Sequence, residues 1–506
     1  MNASPQALSS VADHDWRAMA ASLSLPARPF VNGDYADALT DDTIETTNPA
    51  DGSPLAVLPD CGQADVDRAV AAARSAFETG PWARMAATER KLVMFRWADA
   101  LERRSTEIAL IEALNMGKPI RFAYGLDVPK AIKAIRWYAE IIDKLYDEIA
   151  PTRRDALALV TREPVGVVAA VIAWNYPFYM ACYKIAPAIA LRNSVVLKPS
   201  ELTPHSALIM AEAAAEAGIP PGVLNVVTGR GETAGQALGR HEDVDALTFT
   251  GSTAVGKRFL VYAGESNMKR VTLECGGKSP QLVLTDCPDL ATVAQATAMG
   301  IFYNQGEVCN ACSRLIVEEP VRDALLEQIA HAARDFAPGD PLDPACQMGP
   351  IVSRPQHERI LRYIATGARE GATLRLGGKA ALEDSGGRYV EPTIFDDVTN
   401  DMIIARDEIF GPVLSVIPCA SAEEGVALAN DSPYGLAASV WTRDITKAHT
   451  IARRLRAGSV WVNSYNTSDM STPFGGFKQS GYGKDKAHHA LEKFCEYKNT
   501  WIELSN

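Results

Sequence analysis

The apolar run VGVVAAVIAW (165–174) is the first of six short runs that decide the fold class of this chain; the others are NSVVLKP (193–199), VLNVVTG (223–229), DALTFTG (245–251), KRVTLEC (269–275) and PQLVLTD (280–286). Apolar runs of this length, bounded by Gly and Pro, are typical of buried strands. Between them lie helical stretches such as 204–218, which contains strong helix formers and ends at a glycine. This alternation predicts an α/β architecture with a mostly parallel sheet.

The pattern repeats further along the chain. SRLIVEEP (313–320) reads as another buried strand, 321–337 as an amphipathic helix, and further short strands follow as far as Trp461. We therefore expect a second α/β lobe. Two alternating, strand-like segments stand apart, at 146–163 and 494–504, and each could form an edge ribbon that seeks a partner chain.

Composition narrows the class of protein. At 506 residues the chain exceeds the length at which one hydrophobic core stops growing, so we expect two or more packed units. A net charge of -12 argues against nucleic acid as a partner. Nine thinly spread cysteines favour a reduced cytosol, and hence a cytoplasmic location. We find no signal-peptide pattern, and the longest apolar run, 164–174, is too short to span a bilayer.

Three side chains are candidates for catalysis. Cys309 follows a helical stretch broken at Gly306, although most cysteines in such a chain are only buried hydrophobes. Glu274 ends an apolar strand just before a Gly-Gly turn, where α/β proteins bind ligands; the structural alternative is that it caps the next element or pairs with a lysine. Asn175 ends another strand, and its amide could donate to an oxyanion or could serve a turn.

A nucleotide site is indicated by two further segments. Lys198 and Glu201 follow the strand NSVVL and could hold ribose hydroxyls or form a surface pair. The segment GRGETAG (229–235) follows the next strand and opens a helix, as dinucleotide-binding loops do. Its spacing is G-x-G-x-x-x-G rather than G-x-G-x-x-G, so we assign no ribose-binding acid to Asp243 or Asp245, and the loop could be purely structural.

Together these segments resemble the aldehyde dehydrogenase superfamily from about residue 30 to the C-terminus. The strongest matches are TFTGST (248–253), LECGGKSP (273–280), FYNQGEVC (302–309), EIFGPV (408–413) and PFGGFKQSG (473–481). The resemblance implies oxidation of an aldehyde to a carboxylic acid with NAD(P), and no metal. The resemblance also implies the domains. An N-terminal extension covers 1–29, and a Rossmann-like cofactor domain covers 30–145 and 165–276. An α/β catalytic domain covers 277–479, and a β-ribbon for oligomerisation covers 146–164 and 487–506.

The resemblance gives each candidate a role. Cys309 becomes the nucleophile, Asn175 and the Cys309 N–H hold the oxyanion, and Glu274 is the base that activates water. Lys184 and Glu496 match positions that support proton transfer, or form a structural ion pair.

The implied cofactor residues span both lobes. They are Ile172, Ala173, Trp174, Lys198, Ser200, Glu201, Gly231, Gly235, Phe249, Gly251, Ser252, Glu408 and Phe410. The carboxylate of Glu201 would repel a 2′-phosphate, so NAD is expected to be preferred over NADP, which stays possible.

The substrate expectation rests on AIRWYAEIIDKLYDE (134–148), ESNMKRVTLE (265–274) and YNTSDMSTPFGG (465–476), which look most like enzymes of γ-glutamyl-γ-aminobutyraldehyde and other ω-aminoaldehydes. The aldehyde tunnel is expected to be lined by Tyr176, Tyr179, Met180, Tyr183, Ser468 and Phe474, with Asp127 and Asp469 near its mouth. Aromatic walls and carboxylates suit a cation, but nearby Lys130 favours an acidic or γ-glutamylated substrate. An aliphatic aldehyde is the plainer alternative.

The sequence departs from the family pattern at two positions, and three other functions compete with aldehyde oxidation. Glu307 stands where many members have Gln, and Cys312, at a position usually without a thiol, could form a reversible disulfide with Cys309 or be a spectator. A CoA-acylating enzyme generally lacks the glutamate found at 274. Thiol-esterase activity would be a side reaction, and a structural role would require loss of a catalytic residue. The ribbon implies a homotetramer or homodimer.

Overall fold

The first sheet contains five of the six predicted runs. The structure, a computed structural model, describes residues 11–504, so parts of the predicted N-terminal extension (1–10) and C-terminal ribbon segment (505–506) lie outside the described residues. Eight strands form this sheet in the spatial order Asp34–Tyr35, Phe30–Val31, Leu224–Val226, Ser194–Lys198, Val167–Val171, Ala246–Thr250, Arg270–Glu274 and Gly481–Tyr482. The five from Leu224–Val226 to Arg270–Glu274 are parallel, as predicted.

The strand Val167–Val171 lies at the point where the strand order reverses. Its neighbours are Ser194–Lys198 on one side and Ala246–Thr250 on the other. A crevice opens at the carboxyl ends of strands at such a point, and α/β proteins bind ligands there. The residues after Val171, including Asn175, therefore start at the expected ligand site.

Helices cover both faces of the first sheet. The longer ones are Gln63–Glu78, Ala87–Arg103, Ser105–Met116, Val128–Ile141, Pro177–Ala190, His205–Glu216 and Thr253–Gly264. Shorter turns lie at Trp16–Ala21, Pro81–Arg84, Ile120–Phe122, Ala123–Asp127, Ile142–Lys144, Gly231–Gly235 and Gln236–Arg240, and Thr43–Thr47 pairs with Pro54–Pro59. The buried helix Pro177–Ala190 starts with Pro at its first position, where no N–H bond is lost.

The second lobe is built on a seven-stranded sheet. Its strands lie in the order Thr373–Leu376, Thr393–Asp396, Val413–Cys419, Arg314–Glu318, Pro280–Val283, Ala437–Trp441 and Ser459–Val462. The main helices are Leu290–Phe302, Glu319–Ala332, Arg354–Arg369, Ala422–Asn430 and Ile445–Arg454. Small elements are Tyr303–Gly306, Ala333–Phe336, Ala380–Ala381, Glu383–Ser385, Tyr389–Val390, Ile403–Arg406, Tyr434–Gly435, Phe477–Lys478, His488–Ala490 and Glu492–Phe494. The second α/β lobe is thus confirmed.

The two segments that stood apart pair with each other. Cys495–Glu503 runs antiparallel to Ala156–Pro164 along nine residue pairs, and Glu148–Ala150 adds a third strand. The strand Gly481–Tyr482 lies past the predicted end of the catalytic segment and returns the chain to the first sheet. The predicted domain bounds stay a prediction. In residues 11–504, no helix combines the length and apolarity needed to cross a bilayer.

Candidate active site

Glu274 lies at the carboxyl end of the first sheet. It is the last residue of its strand and is paired in register with Thr250. Thr250 Oγ1 donates to Glu274 Oε2 at 3.3 Å, whereas Oε1 has no hydrogen-bond partner within residues 11–504. Burial raises the pKa of the Glu274 carboxyl to about 7, although the charge of Lys184 opposes this. Such a carboxyl can exchange a proton near neutral pH.

A left-handed turn places Cys309. Asn304, Gln305 and Gly306 all have positive φ, at 52°, 58° and 72°. A Cβ at Gly306 would lie 2.2 Å from the Gly411 carbonyl oxygen, so only glycine fits this position. Cys309 follows in the wall of a cavity, where it is partly exposed. Burial and then the charge of Glu274 raise the pKa of the Cys309 thiol well above its usual value, so the thiol needs a base before it can attack.

Asn175 is fixed against the turn that carries Cys309. Its Nδ2 donates to the Glu307 carbonyl oxygen at 2.9 Å, and Asn304 Nδ2 donates to the same oxygen at 3.2 Å. One N–H of the Asn175 amide stays available. The Cys309 backbone N–H donates to no backbone carbonyl within residues 11–504. One side-chain N–H of Asn175 and the backbone N–H of Cys309 could therefore donate to an oxyanion.

A buried ion cluster lies behind Glu274. Asp485 Oδ2 accepts from Lys184 Nζ at 2.8 Å, and its Oδ1 pairs with Lys493. Thr248 Oγ1 accepts from both ammonium groups, at 3.2 and 3.4 Å. Burial opposes ionisation of Asp485, but the two lysines lower its pKa to about 2. Lys184 thus lies where the sequence predicted it.

Glu496 does not lie at the site, and this expectation is corrected. Its side chain is 59% exposed and pairs with Arg270 at 2.7 Å. The reason is that Cys495–Glu503 leaves the lobe to pair with the ribbon strand. The acidic partner of Lys184 is Asp485 instead.

The predicted cofactor residues of the first lobe lie along one edge of the sheet. They follow or end four adjacent parallel strands and comprise Ile172, Ala173, Trp174, Lys198, Ser200, Glu201, Gly231, Gly235, Phe249, Gly251 and Ser252. Lys198 Nζ donates to the Gly229 carbonyl at 2.7 Å and lies 3.9 Å from the Glu201 carboxylate. A Cβ at Gly231 would meet nothing within 4 Å, so the loop leaves room for a ligand.

At the same edge of the sheet, the strand Ala246–Thr250 is followed by the start of a helix. Ser252 caps Thr253–Gly264, and its Oγ accepts from the Val255 N–H at 3.3 Å. Free N–H groups at a helix start favour phosphate. The donors, the open glycine loop and the carboxylate of Glu201 together fit a dinucleotide.

Glu408 and Phe410 approach this edge from the second lobe. Glu408 Oε1 accepts from the Gly277 N–H at 3.0 Å, and a Cβ at Gly276 would lie 1.9 Å from Oε2, so the Gly-Gly turn admits the carboxylate. Burial raises the pKa of Glu408 to about 7. Phe410, at a φ of 60°, meets the Trp174 ring edge-on at 5.2 Å between centroids.

A cavity of about 400 Å³ leads to Cys309. Seven of the eight predicted substrate residues line it, namely Asp127, Tyr176, Tyr179, Met180, Tyr183, Ser468 and Phe474. The eighth, Asp469, is not part of the lining; it is 55% exposed and pairs with Lys133 at 3.2 Å. Asp469 therefore lies at the surface next to the lining residue Ser468, and its predicted place near the mouth of the tunnel stays a prediction.

Asp127 lies in the lining, but not as an exposed residue at the mouth. It is only 4% exposed and forms an ion pair with the fully buried Lys118. The Tyr303 hydroxyl donates to its Oδ1 at 3.2 Å. The Lys118 ammonium also lies 3.7 Å from the Tyr176 ring centroid. The charge of Asp127 is therefore already compensated within the protein.

Comparisons with known proteins agree with this geometry. Residues 35–500 match the model described as the aldehyde dehydrogenase family. The chain belongs to the aldehyde dehydrogenase family. The NADP/NAD-dependent aldehyde dehydrogenase PuuC of Escherichia coli (strain K12) is 51% identical over 97% of this chain and 98% of its own length.

Two solved structures resemble this aldehyde dehydrogenase closely, each with a TM-score of 0.96. The γ-glutamyl-γ-aminobutyraldehyde dehydrogenase of Burkholderia cenocepacia J2315 is 52% identical with a TM-score of 0.96, covering 98% of this chain and 100% of that one. The indole-3-acetaldehyde dehydrogenase AldA of P. syringae, solved with NAD+, is 53% identical with a TM-score of 0.96, covering 97% and 99%. This chain is an NAD(P)-dependent aldehyde dehydrogenase with the fold of that family.

Glu307 and Cys312, the two residues that depart from the family pattern, make side-chain hydrogen bonds that do not involve the Cys309 thiol. The Glu307 carboxyl is fully buried; its Oε1 accepts from the Val352 N–H at 3.2 Å, and burial raises its pKa well above the usual value. Cys312 is fully buried, and its Sγ donates to the Thr297 carbonyl at 3.4 Å. The thiols of Cys309 and Cys312 are both free, so no disulfide joins them. Cys312 behaves as a packing residue.

Sequence reasoning missed several residues that shape this aldehyde dehydrogenase site. They are Lys118, Tyr303, Asn304, Asp485, Lys486 and Lys493. Tyr303 and Asn304 belong to the quoted motif FYNQGEVC, so their position was a usable signal. The lysines sit in ordinary helical or loop sequence, and only packing reveals them.

Proposed function

We propose that Cys309, Glu274 and Asn175 carry the aldehyde oxidation, and that the aldehyde has a γ-glutamylamino tail in preference to a free amine. The observation that supports this most is the cavity itself, because it presents Cys309 in its wall together with aromatic side chains and lysines. The charge of Glu274 also raises the pKa of the Cys309 thiol, which supports a role for this carboxylate as the base.

The first half of the reaction forms a bond to sulfur. Glu274 accepts the thiol proton, and the Cys309 thiolate attacks the aldehyde carbon while the carbonyl electron pair moves to oxygen. The Asn175 amide and the Cys309 N–H donate to this oxyanion, and each such donor contributes about 3 kcal/mol. Bound NAD(P) supplies the hydride acceptor. Loss of hydride leaves a thioester on Cys309.

The second half releases the acid. Once the thiol proton has passed from Glu274 to solvent, this carboxylate, with a pKa of about 7, takes a proton from water, and the resulting hydroxide attacks the thioester carbon. The C–S bond breaks and returns the thiolate. The buried cluster of Lys184, Asp485 and Lys493 lies behind Glu274; burial lowers the pKa of Lys493 to about 8, so Lys493 is the member that can exchange a proton near neutral pH.

The tail preference follows from the cavity charges. Lys130 and Lys486 line the cavity, Asp127 is neutralised by Lys118, and Asp469 lies outside the lining. A free ammonium would meet uncompensated positive charge, which disfavours it. A γ-glutamylamino group ends in a carboxylate as well as an amine, so it suits these lysines better.

The nucleophile is tested by substitution. Cys309→Ala should abolish both aldehyde oxidation and ester hydrolysis while NAD binding stays near normal. Cys312→Ala is the matched control, because this neighbouring thiol is fully buried and should leave turnover unchanged. More than a trace of activity in Cys309→Ala, measured as NADH formation, would refute the assignment.

The substrate is tested by comparing kcat/KM for 4-aminobutyraldehyde, its γ-glutamyl derivative and butyraldehyde. We expect the γ-glutamyl derivative to be best. Asp469→Asn should alter none of the three, because Asp469 pairs with Lys133 outside the cavity. Butyraldehyde or the free amine as the best substrate would contradict the preference.

A further inference from the structure

Two lysines reach the aldehyde cavity from separate parts of the chain. Lys130 belongs to the helix Val128–Ile141, and Lys486 follows the strand Gly481–Tyr482. Both line the cavity that also contains Cys309. Lys486 is only 5% exposed, its Nζ lies 3.4 Å from Ser468 Oγ, and the ammonium lies 5.2 Å from the Phe474 ring centroid.

Neither lysine has an anionic partner among residues 11–504. Their ammonium groups form no ion pair there, whereas Lys133, one turn from Lys130, pairs with Asp469 at the surface. The carboxylates near Lys130 and Lys486 are already paired with other groups. Asp127 is held by Lys118 and the Tyr303 hydroxyl, and Asp485 by Lys184 and Lys493.

The cavity therefore carries unbalanced positive charge. Among its lining residues only Asp127, Lys130 and Lys486 are formally charged, and Asp127 is compensated by a lysine behind it. Burial lowers the pKa of Lys130, and burial followed by the charge of Lys130 lowers the pKa of Lys486 to about 8. Two ammonium groups that are already partly desolvated and repel each other gain more from an anion than exposed lysines do.

We propose that Lys130 and Lys486 form a carboxylate-binding site in the cavity wall, which selects aldehydes whose far end carries a carboxylate. This inference rests on the proposed function, because the aldehyde carbon must sit at Cys309 for its tail to lie in the same cavity. The lysines are specificity residues: they bind the tail and take no part in bond making. The Ser468 hydroxyl oxygen accepts a hydrogen bond from the Lys486 ammonium.

The test uses ω-carboxy aldehydes of increasing chain length, each paired with its neutral primary amide. At the best length, wild type should show a kcat/KM for the carboxylate about 10- to 100-fold above that for the amide, the range for hydrogen bonds to charged groups. Lys130→Met and Lys486→Met should each remove most of this ratio by lowering only the value for the carboxylate. Lys130→Arg and Lys486→Arg should keep most of it.

The control is Lys133→Met, which removes a lysine from the same helix but outside the cavity and should leave the ratio unchanged. A wild-type ratio near one at every length would overturn the proposal, and so would equal losses for carboxylate and amide in both Met variants. Butyraldehyde separates the two hypotheses. If wild type oxidises it through Cys309 but shows no carboxylate preference, the lysine site and the tail preference fail while the catalytic assignment stands; if Cys309→Ala stays active, the catalytic assignment fails.

Inhibition of wild type gives a second measurement, independent of how the variants fold. Dicarboxylates of matching length should compete with butyraldehyde, and the corresponding diamides should inhibit at least about tenfold more weakly. Equal inhibition by the two would contradict the carboxylate site.

Discussion

At the scale of single residues, the site is governed by burial of Glu274 and Cys309. Glu274 is buried and Cys309 is only partly exposed in the cavity wall, and burial favours the neutral form of each. Glu274 has a carboxyl whose pKa is about 7, so it is the group that can change charge during turnover at neutral pH. The thiol can lose its proton only when a neighbour receives it.

The pH dependence of turnover should therefore follow Glu274. Its folded pKa is raised, so the basic form is present above pH 7 and is lost as the pH falls below about 7. Steady turnover should rise with pH through this region. Glu274→Gln should lower the rate by roughly 10²–10⁴-fold and remove this limb of the profile.

Thr250→Val offers a matched variant for that profile. The Thr250 hydroxyl lowers the pKa of Glu274, so its removal should move the limb to higher pH while activity survives. An unchanged profile in Glu274→Gln would assign the ionisation to another group.

Cofactor choice is a second property of a single residue. Glu201 is 40% exposed at the end of a first-sheet strand, where it would face the ribose 2′-position. Glu201→Gln should improve kcat/KM for NADP relative to NAD by about tenfold or more, as removal of a charge repulsion of a few kcal/mol predicts. Asp243→Asn is the control. A clear preference of wild type for NADP would contradict the assignment.

At the scale of elements, the ribbon has more exposed apolar surface than its own lobe can cover. Tyr146, Ile149, Trp501 and Leu504 are 78%, 71%, 50% and 60% exposed. The three strands also leave edges without a partner within residues 11–504. Such surface usually marks an interface between chains. We propose that it forms the contact of a homodimer or homotetramer.

Charges placed on the ribbon should disrupt that contact. Ile149→Glu combined with Trp501→Glu should reduce the mass measured by light scattering after gel filtration. Ile445→Glu is the control, since Ile445 is 69% exposed on a helix start elsewhere. If wild type is monomeric, or if the double variant keeps its mass, the ribbon is not the interface.

At the scale of the whole molecule, the active site belongs to neither lobe alone. Asn175 and Glu274 come from the first sheet, whereas Cys309 and Glu408 belong to the second lobe. A cofactor that touches both lobes stabilises the folded state by mass action, by about 2.7 kcal/mol at one hundred times its Kd. Binding should therefore be visible as a rise in the unfolding temperature.

Calorimetry can check this coupling between lobes. NAD should raise the Tm of wild type and of Cys309→Ala by similar amounts, because the thiol is not needed for cofactor binding. Glu408→Ala should reduce the rise, because it removes the contact from the second lobe. Absence of any rise in wild type at saturating NAD would contradict a site shared by both lobes.

The sequence by itself determined the strands, the order of the lobes and the position of the reacting groups. Buried strands show as uninterrupted apolar runs, and the residues that end them must meet at one edge of a parallel sheet. Glu274, Asn175 and Lys198 could therefore be selected from local pattern, and Cys309 from its motif. The ribbon segments could also be predicted, because the alternation of apolar and polar residues is read from neighbouring positions alone.

Only the tertiary structure decided the charge balance of the cavity. Asp127 ends the π-helical turn Ala123–Asp127, and its partner proved to be the buried Lys118 rather than a substrate. Glu496 pairs with Arg270 away from the site and Asp469 pairs with Lys133 at the surface, whereas Lys486 lines the cavity and Asp485 pairs with Lys184. Some of these ion pairs, such as Lys133–Asp469 and Lys184–Asp485, join residues far apart in the chain, and spacing cannot tell which carboxylate a lysine will reach. Packing therefore determined which charged side chains face the cavity.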